Sequence, residues 1–167
     1  QALFIALKTN LRDGHSYVRD AWEKGVRNFL VSQAADAALL PASNVILVKD
    51  TLTGLQQIAA AHRKQFKVPV IGITGSNGKT VVKEWLYQLL NNQYNIIRSP
   101  KSYNSQVGVP LSVWMMKEEQ NLAIFEAGIS QPGEMEKLER VILPTIGLFT
   151  NIGEAHSEGF MNSRQKI

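Results

Sequence analysis

The chain of 167 residues contains no cysteine. A disulfide framework and a thiolate metal site are therefore excluded, and the absence fits a reducing compartment. No apolar run approaches the about 20 residues that a membrane-spanning helix needs. We therefore expect no membrane span. No basic stripe is interleaved with aromatic side chains, so we also expect no nucleic acid partner. Internal repeats and low-complexity tracts are also missing, which leaves the pattern of an ordinary globular chain.

The sequence begins with Gln1 rather than methionine, and its formal net charge is +4. We therefore expect that the natural N-terminus is missing and that the charge balance is that of a piece of something larger. Attraction of an anionic ligand such as a nucleotide is the alternative explanation of the positive excess.

Apolar strands alternate with amphipathic helices along the chain, a pattern that predicts an α/β fold with a mainly parallel sheet. The step Val68-Pro69 marks a joint, because proline cannot continue a helix and biases its predecessor toward an extended conformation. We therefore predict a small α/β domain over residues 1–67 and a second domain over residues 68–167.

Hydrophobic periodicity and turn residues set the predicted elements. Strands are predicted at 3–7, 28–31, 44–48, 70–74, 95–97, 122–126 and 145–150, and helices at 16–24, 51–66, 79–91, 108–116 and 133–142. His62 is predicted to be solvated. The helix over 79–91 is predicted to face the core with Val82, Trp85, Leu86, Leu89 and Leu90.

The segment from Ile71 to Thr80 has the order strand, glycine-rich turn, helix, which is typical of a phosphate-binding loop. Glycines let the main chain approach a triphosphate, and the helix N-terminus points N–H groups at it. Lys79 would bridge the β- and γ-phosphates of ATP, and Thr80 would offer its hydroxyl to Mg²⁺. Ile73 stands where the usual pattern has an early glycine, so a glycine turn before a chance Lys-Thr is the alternative. The candidate ATP-binding residues are Gly75, Ser76, Asn77, Gly78, Lys79, Thr80 and Val81.

Glu126 ends an apolar strand, where a buried charge is costly unless it is paired or binds a metal. In phosphate-loop enzymes an acid at this place helps to hold Mg²⁺, and Gly128 would leave room for a ligand; a structural ion pair is the alternative. His156 follows the next strand and lies on the same rim. Mg²⁺ prefers oxygen ligands, however, and a lone loop histidine is more often a capping or surface residue. His15 is predicted to lie on a turn before a helix, where it would serve either as a helix cap or as a ligand contact.

The loop Thr74–Thr80 resembles the T-G-[TS]-x-G-K-T loop of the Mur ligases and folylpolyglutamate synthases, which also lack the early glycine. Five further stretches are similar to the Mur ligases that add D-alanyl-D-alanine. Ala155 and Glu158 stand where the sister ligases for the third residue usually have aspartates. Thr9 and Tyr103 depart from the pattern, by replacing a glycine and an asparagine. The five stretches are residues 3–8, 13–17, 104–110, 126–135 and 151–160.

The resemblance implies a cytoplasmic ligase of peptidoglycan precursor synthesis. Its N-terminal domain (residues 1–67) would bind UDP, its phosphate-loop ATPase domain would be truncated in residues 68–167, and a third domain would lie beyond this chain. ATP would phosphorylate the carboxylate of a UDP-N-acetylmuramoyl-tripeptide, and D-alanyl-D-alanine would attack the acyl phosphate. The implied catalytic residues are Lys79, Glu126 and His156, and the implied Mg²⁺ ligands are Thr80, Glu126 and His156. Asn151 would lie near the nucleotide, and Asn104 and His15 are weaker substrate candidates.

Three alternatives stay open at this point. The chain could belong to another Mur or folylpolyglutamate ligase, to a phosphate-loop switch or motor ATPase without ligase activity, or to a non-catalytic remnant. Intact Gly78, Lys79, Thr80 and Glu126 argue against decay. Some relatives are fused to an alanine racemase, which nothing in these residues tests.

We predict that residues 1–167 alone do not catalyse ligation, because the resemblance places the amine-binding domain outside them. The measurement is phosphate release by the purified piece with ATP, UDP-N-acetylmuramoyl-tripeptide and D-alanyl-D-alanine. Measurable ligation by this piece would contradict the predicted domain organisation.

Overall fold

A computed structural model of the chain describes residues 2–33 and 40–153. It divides into two compact units, of which the first ends at Leu55 and the second begins at Gln56. The predicted boundary at Val68-Pro69 stays a prediction about whole domains. Within the described ranges, no helix has both the length and the apolar character that crossing a membrane would require.

The first unit contains a three-stranded parallel sheet in the order β1-β2-β3. Its strands are β1 (Leu3–Ile5), β2 (Asn28–Val31) and β3 (Asn44–Leu47), and a 3₁₀ turn (Gly14–Tyr17) leads into α1 (Val18–Glu23). Buried side chains of β2 pack against α1 to form this unit's core. Helix α2 (Thr51–Arg63) starts here, where Asp50 Oδ2 accepts from Thr53 N as an N-cap at 2.8 Å.

The second unit contains a four-stranded parallel sheet in the order β5-β6-β4-β7. The strands are β4 (Val70–Thr74), β5 (Ile96–Arg98), β6 (Leu122–Glu126) and β7 (Ile146–Phe149). The helices between them are α3 (Lys79–Leu90), α4 (Gly108–Trp114) and α5 (Glu134–Ile142). The predicted α/β class with parallel sheets is therefore confirmed, and the strands and helices lie within a few residues of their predicted ends.

Every residue of the central strand β6 is buried, and its side chains alternate between two cores. Ala123 and Phe125 pack with α4 and α5 on one face of the sheet. Leu122 and Ile124 pack with α3 on the other. Because strand side chains have a period of two, Glu126 points to the α3 face. It also pairs in register with Ile73 of β4, so the strand leading to the phosphate loop ends beside it.

The predicted core face of α3 is wrong in two positions. Trp85 is 62% exposed and Leu89 is 73% exposed, whereas Lys83 is fully buried. Val82, Leu86 and Leu90 do pack against the sheet, as predicted. The helix has apolar residues around much of its circumference, so periodicity alone could not select the buried face.

His62 is also not solvated as predicted. Its Nε2 lies 3.0 Å from the carbonyl oxygen of Met116. The ring packs against Phe66 and Trp114, with centroid distances of 4.9 and 4.6 Å. This histidine therefore joins α2 to the end of α4.

A matched pair of neighbours on α5 tests the core on the face of the sheet that α4 and α5 cover. Leu138 is fully buried between α5 and the sheet, and Lys137 beside it is exposed. We expect Leu138→Ala to lower the free energy of unfolding by about 2–5 kcal/mol through lost burial and a cavity. Lys137→Ala should change it by less than about 0.5 kcal/mol. Thermal unfolding of the parent protein measures both, and equal effects would contradict this packing.

Candidate functional site

The predicted phosphate loop joins β4 to α3 through two glycines with positive φ. Gly75 has φ +128° and Gly78, immediately before α3, has φ +83°. A side chain at Gly75 would meet Thr150 Oγ1 at 2.1 Å, whereas a side chain at Gly78 would enter open space. The two glycines thus serve different needs, since the first allows close approach and the second allows the left-handed turn into the helix.

The segment after β7 is hydrogen-bonded to this loop. Asn151 accepts from Ser76 N through its carbonyl oxygen at 2.9 Å and from Asn77 N through Oδ1 at 3.0 Å. Thr150 Oγ1 donates to the carbonyl oxygen of Asn77 at 2.6 Å. The first N–H groups of an α-helix have no carbonyl partner within the helix, so those of Lys79 and Thr80 can serve an anion. Asn151 therefore lies against the phosphate loop, and its predicted position near a nucleotide stays a prediction.

Thr80 and Glu126 are brought together as the metal-site prediction requires. The Thr80 hydroxyl donates to Glu126 Oε2 at 2.9 Å, and Glu126 is fully buried. A hydroxyl and a carboxylate oxygen side by side are the hard oxygen ligands that Mg²⁺ prefers. Glu126 Oε1 is buried without a well-aligned hydrogen bond in the described part of the chain. The residues present therefore fit a divalent cation.

Lys83 is a site residue that the sequence analysis missed. Its Nζ lies 2.9 Å from Glu126 Oε1, and both side chains are fully buried. The ion pair is close, although its angles are poor for a hydrogen bond, which explains why Oε1 has a charged neighbour but no aligned donor. The spacing Lys79 to Lys83, one helical turn, was the available signal.

Lys79, the first residue of α3, contacts the main chain of the phosphate loop. Its Nζ donates to the carbonyl oxygen of Gly75 at 2.6 Å and is 3.5 Å from that of Ser76. Burial lowers the pKa of Lys79, and the charge of Glu126 offsets part of that effect. The ammonium group therefore sits among neutral main-chain oxygens, from which a more negative ligand would draw it.

A cavity of about 290 Å³ opens beside Lys79. Its lining includes Asn104, Ser130 and Glu134, and Gly128 lies next to Asn104. A side chain at Gly128 would lie 3.0 Å from Asn104 Cγ, and Gly128 N donates to the carbonyl oxygen of Asn104 at 2.7 Å. Gly128 itself lines this cavity, so the expected room beside it exists, although Asn104 occupies the position that a side chain at Gly128 would take.

The two histidine predictions have different outcomes. His15 is buried, with Nδ1 2.6 Å from Asp13 Oδ1 and Nε2 accepting from Ser32 N at 2.9 Å. Hydrogen bonds from the His15 main chain and ring lower the pKa of Asp13 to about 2. Both ring nitrogens of His15 are therefore engaged within the first unit. His156 lies outside the described residues, as do Ala155 and Glu158.

The remaining nucleotide candidates lie around the loop. Val81 is half-exposed on the first turn of α3, and Ser76 Oγ donates to the carbonyl oxygen of Gly153 at 3.2 Å. No cluster of three or more histidine, cysteine or acidic side chains suited to a metal occurs within residues 2–33 and 40–153. Any metal here would therefore depend on few protein ligands, as Mg²⁺ bound with a nucleotide does.

The fold and the loop define an α/β domain with a phosphate loop, and comparisons with known proteins narrow this class. Residues 73–167 match the family described as the Mur ligase middle domain. The chain therefore belongs to the Mur ligase family. It is 41% identical to the UDP-N-acetylmuramoyl-tripeptide–D-alanyl-D-alanine ligase of Bacillus subtilis over 99% of this chain and 36% of that protein.

Solved structures give the same relationship. The chain superposes on MurF from Acinetobacter baumannii with a TM-score of 0.91 and 29% identity, over 98% of this chain and 36% of that one. For MurF ligase from Thermotoga maritima in complex with ADP the values are 0.87 and 28%, over 98% and 37%. The chain spans about a third of the length of the relatives that it matches.

The two loop glycines provide a matched test of this geometry. We expect Gly78→Ala to cost about 1–2 kcal/mol, the strain of a left-handed backbone at a residue with a side chain. Gly75→Ala should cost clearly more, because the new methyl group would also overlap Thr150 and the main chain of Asn151. Thermal unfolding of the two variants of the parent protein measures the difference. Equal losses would show that the segment after β7 does not close on the loop.

Proposed function

We propose that this chain is the nucleotide-binding part of an ATP-dependent ligase that joins D-alanyl-D-alanine to UDP-N-acetylmuramoyl-tripeptide in the cytoplasm. The observation that carries the proposal is the 2.9 Å hydrogen bond between the Thr80 hydroxyl and Glu126, directly beside the phosphate loop. The Bacillus subtilis relative is named for this ligation, and the Thermotoga maritima relative contains ADP. The first relative supports the proposed ligation, and the second supports the proposed nucleotide binding.

The proposed reaction has two steps. A carboxylate oxygen of the tripeptide attacks the γ-phosphorus of ATP, the bond to the β-phosphate oxygen breaks, and ADP leaves. The amine of D-alanyl-D-alanine then attacks the acyl carbon of the acyl phosphate, the bond to phosphate breaks, and the nitrogen loses a proton. Because the first step brings two anions together, positive charge must be concentrated between them.

The described residues supply positive charge and N–H donors for the phosphates of ATP. Lys79 would exchange the carbonyl oxygen of Gly75, 2.6 Å from its Nζ, for a phosphate oxygen. The N–H groups at the start of α3 would bind the same phosphates. Thr80 and Glu126 would hold Mg²⁺, which when bound neutralises charge on the phosphates. Three of these four contributions come from the first turn of α3, and the fourth, Glu126, comes from the end of β6.

The substrate side is proposed for the cavity beside Lys79. Asn104 lines it, and its main-chain carbonyl accepts from Gly128 N; we propose its side-chain amide as a contact for the acyl group. Asn151, Val81 and His15 stay weaker candidates for nucleotide and substrate contacts. His156 is proposed as a ligand of a second metal ion on the family resemblance alone.

The deciding experiment is a substrate panel with the full-length parent protein. Phosphate release should require ATP, UDP-N-acetylmuramoyl-tripeptide and D-alanyl-D-alanine together, since the amine completes the turnover. Lys79→Ala should lower kcat by about 10²-fold or more, because the ammonium group that would offset the negative charge of the transferred phosphate is lost. Lys137→Ala, an exposed lysine on α5, is the matched control and should retain activity.

Other outcomes would select other functions. Turnover with folate and glutamate, or with the free third amino acid as the amine, would place the protein in another branch of the superfamily. ATP hydrolysis indifferent to any amine would indicate a phosphate-loop ATPase. In calorimetric titration with MgATP, unchanged affinity of Lys79→Ala would contradict the proposed loop function itself.

A further inference from the structure

Lys83 is a fully buried lysine that the proposed reaction does not use. Lysine is almost never fully buried unless it is paired, because its charge is costly away from water. Its Nζ has Glu126 Oε1 and the carbonyl oxygen of Ser99 each at 2.9 Å, donates also to the carbonyl oxygen of Lys101, and lies 3.2 Å from Glu84 Oε1. Four oxygens from three segments therefore surround one ammonium group.

The carboxylate of Glu126 is divided between two partners. Oε1 faces Lys83 at 2.9 Å, and Oε2 accepts from the Thr80 hydroxyl at 2.9 Å. The main chain of the same residue is fixed as well, since Glu126 N donates to Ser99 Oγ at 3.1 Å. Ser99 thus contacts both members of the ion pair, through its carbonyl oxygen and its hydroxyl.

We propose that Lys83 is a positioning residue that holds Glu126 by Oε1 and so reserves Oε2, beside the Thr80 hydroxyl, for the metal of a metal-bound nucleotide. The inference rests on the proposed function. An unheld carboxylate rotates about its last torsion and presents either oxygen or both. Groups that orient a metal ligand from behind typically change metal affinity by about 10- to 100-fold when they are removed.

The ammonium group itself is also held by groups other than Glu126. Its other contacts are the carbonyl oxygens of Ser99 and Lys101, in the segment after β5. Glu84, the remaining neighbour, is engaged by Arg98 at 3.1 Å. Burial raises the pKa of Glu84, but hydrogen bonds and charge from Lys83 and Arg98 lower it overall. Lys83 is therefore fixed independently of Glu126, as a positioning group must be.

A purely structural ion pair would behave differently. Replacing a buried pair by apolar groups is often neutral, but removing one partner commonly destabilises the whole fold. Such a loss would weaken nucleotide binding with and without metal alike. A positioning role instead predicts that only the metal-dependent part of binding changes, because the loop glycines and Lys79 are untouched.

The experiment uses the full-length parent protein and a fluorescent ADP analogue, titrated once in EDTA and once with increasing Mg²⁺. For Lys83→Met we expect metal-free affinity within about twofold of wild type and a Mg²⁺ midpoint raised about 10- to 100-fold. Lys83→Arg, which keeps the charge, should recover part of the loss. Lys137→Met, an exposed lysine on α5, should match wild type in both titrations.

Each outcome decides the question. A Mg²⁺ midpoint unchanged in Lys83→Met, or equal losses with and without metal, overturns the positioning role. If Lys83→Met does not fold, Lys83→Gln, which keeps a donor for the two carbonyl oxygens, must show the raised midpoint instead. Wild-type protein without any magnesium-dependent ADP binding would overturn the proposed function itself, whereas normal wild-type binding with an unaltered variant overturns this inference alone.

Discussion

A carboxylate enclosed at the end of a central strand is the constraint on which the rest of this site depends. Glu126 has no exposed surface, and an ionised group in such a place is strongly unfavourable unless cations and donors surround it. Lys83 on α3 supplies the cation, and Thr80 on the same helix supplies a hydroxyl donor. One buried charge therefore fixes how α3 packs on β6, and with it the direction from which the loop approaches.

The sheet gives this charge its position and its direction. The strand order β5-β6-β4-β7 places β6 directly beside β4, and parallel pairing brings their carboxyl ends to one edge. Side-chain alternation along β6 then turns Glu126 toward α3 rather than toward α4 and α5. In parallel sheets the crevice outside these ends is where ligands bind. The site thus follows from strand register before any specific ligand is considered.

Much of this arrangement was predictable from local sequence. Strand, glycine turn and helix follow one another without a gap from Val70 to Leu90, so the loop could be assigned by pattern alone. The end of β6 in a lone acid was equally visible. What linked the two was the predicted parallel sheet, which the structure confirms, together with the adjacency of β6 and β4, which no local pattern encodes.

The predictions that the structure contradicts share a physical cause. Each depended on which residues from distant parts of the sequence pack against the side chain in question. Helix α3 has apolar residues on several sides. The ion pair between Lys83 and Glu126 determines which face is buried, and Trp85 and Leu89 are left exposed. Hydrophobic periodicity treats every lysine as exposed, so it predicts the wrong buried face for this helix. The contacts of His62 with Met116 and Trp114 likewise join segments that are distant in the sequence.

Two lysines one helical turn apart on α3 end in different electrostatic states. Lys83 is neutralised by Glu126, whereas Lys79 makes no ion pair within the described residues and contacts only neutral carbonyl oxygens of the loop. Burial lowers the pKa of Lys79, and the charge of Glu126 offsets only part of that effect. A phosphate arriving at the loop would supply a close negative charge, whereas Glu126 is already paired with Lys83. The pairing of one lysine therefore leaves the other available to an anionic ligand.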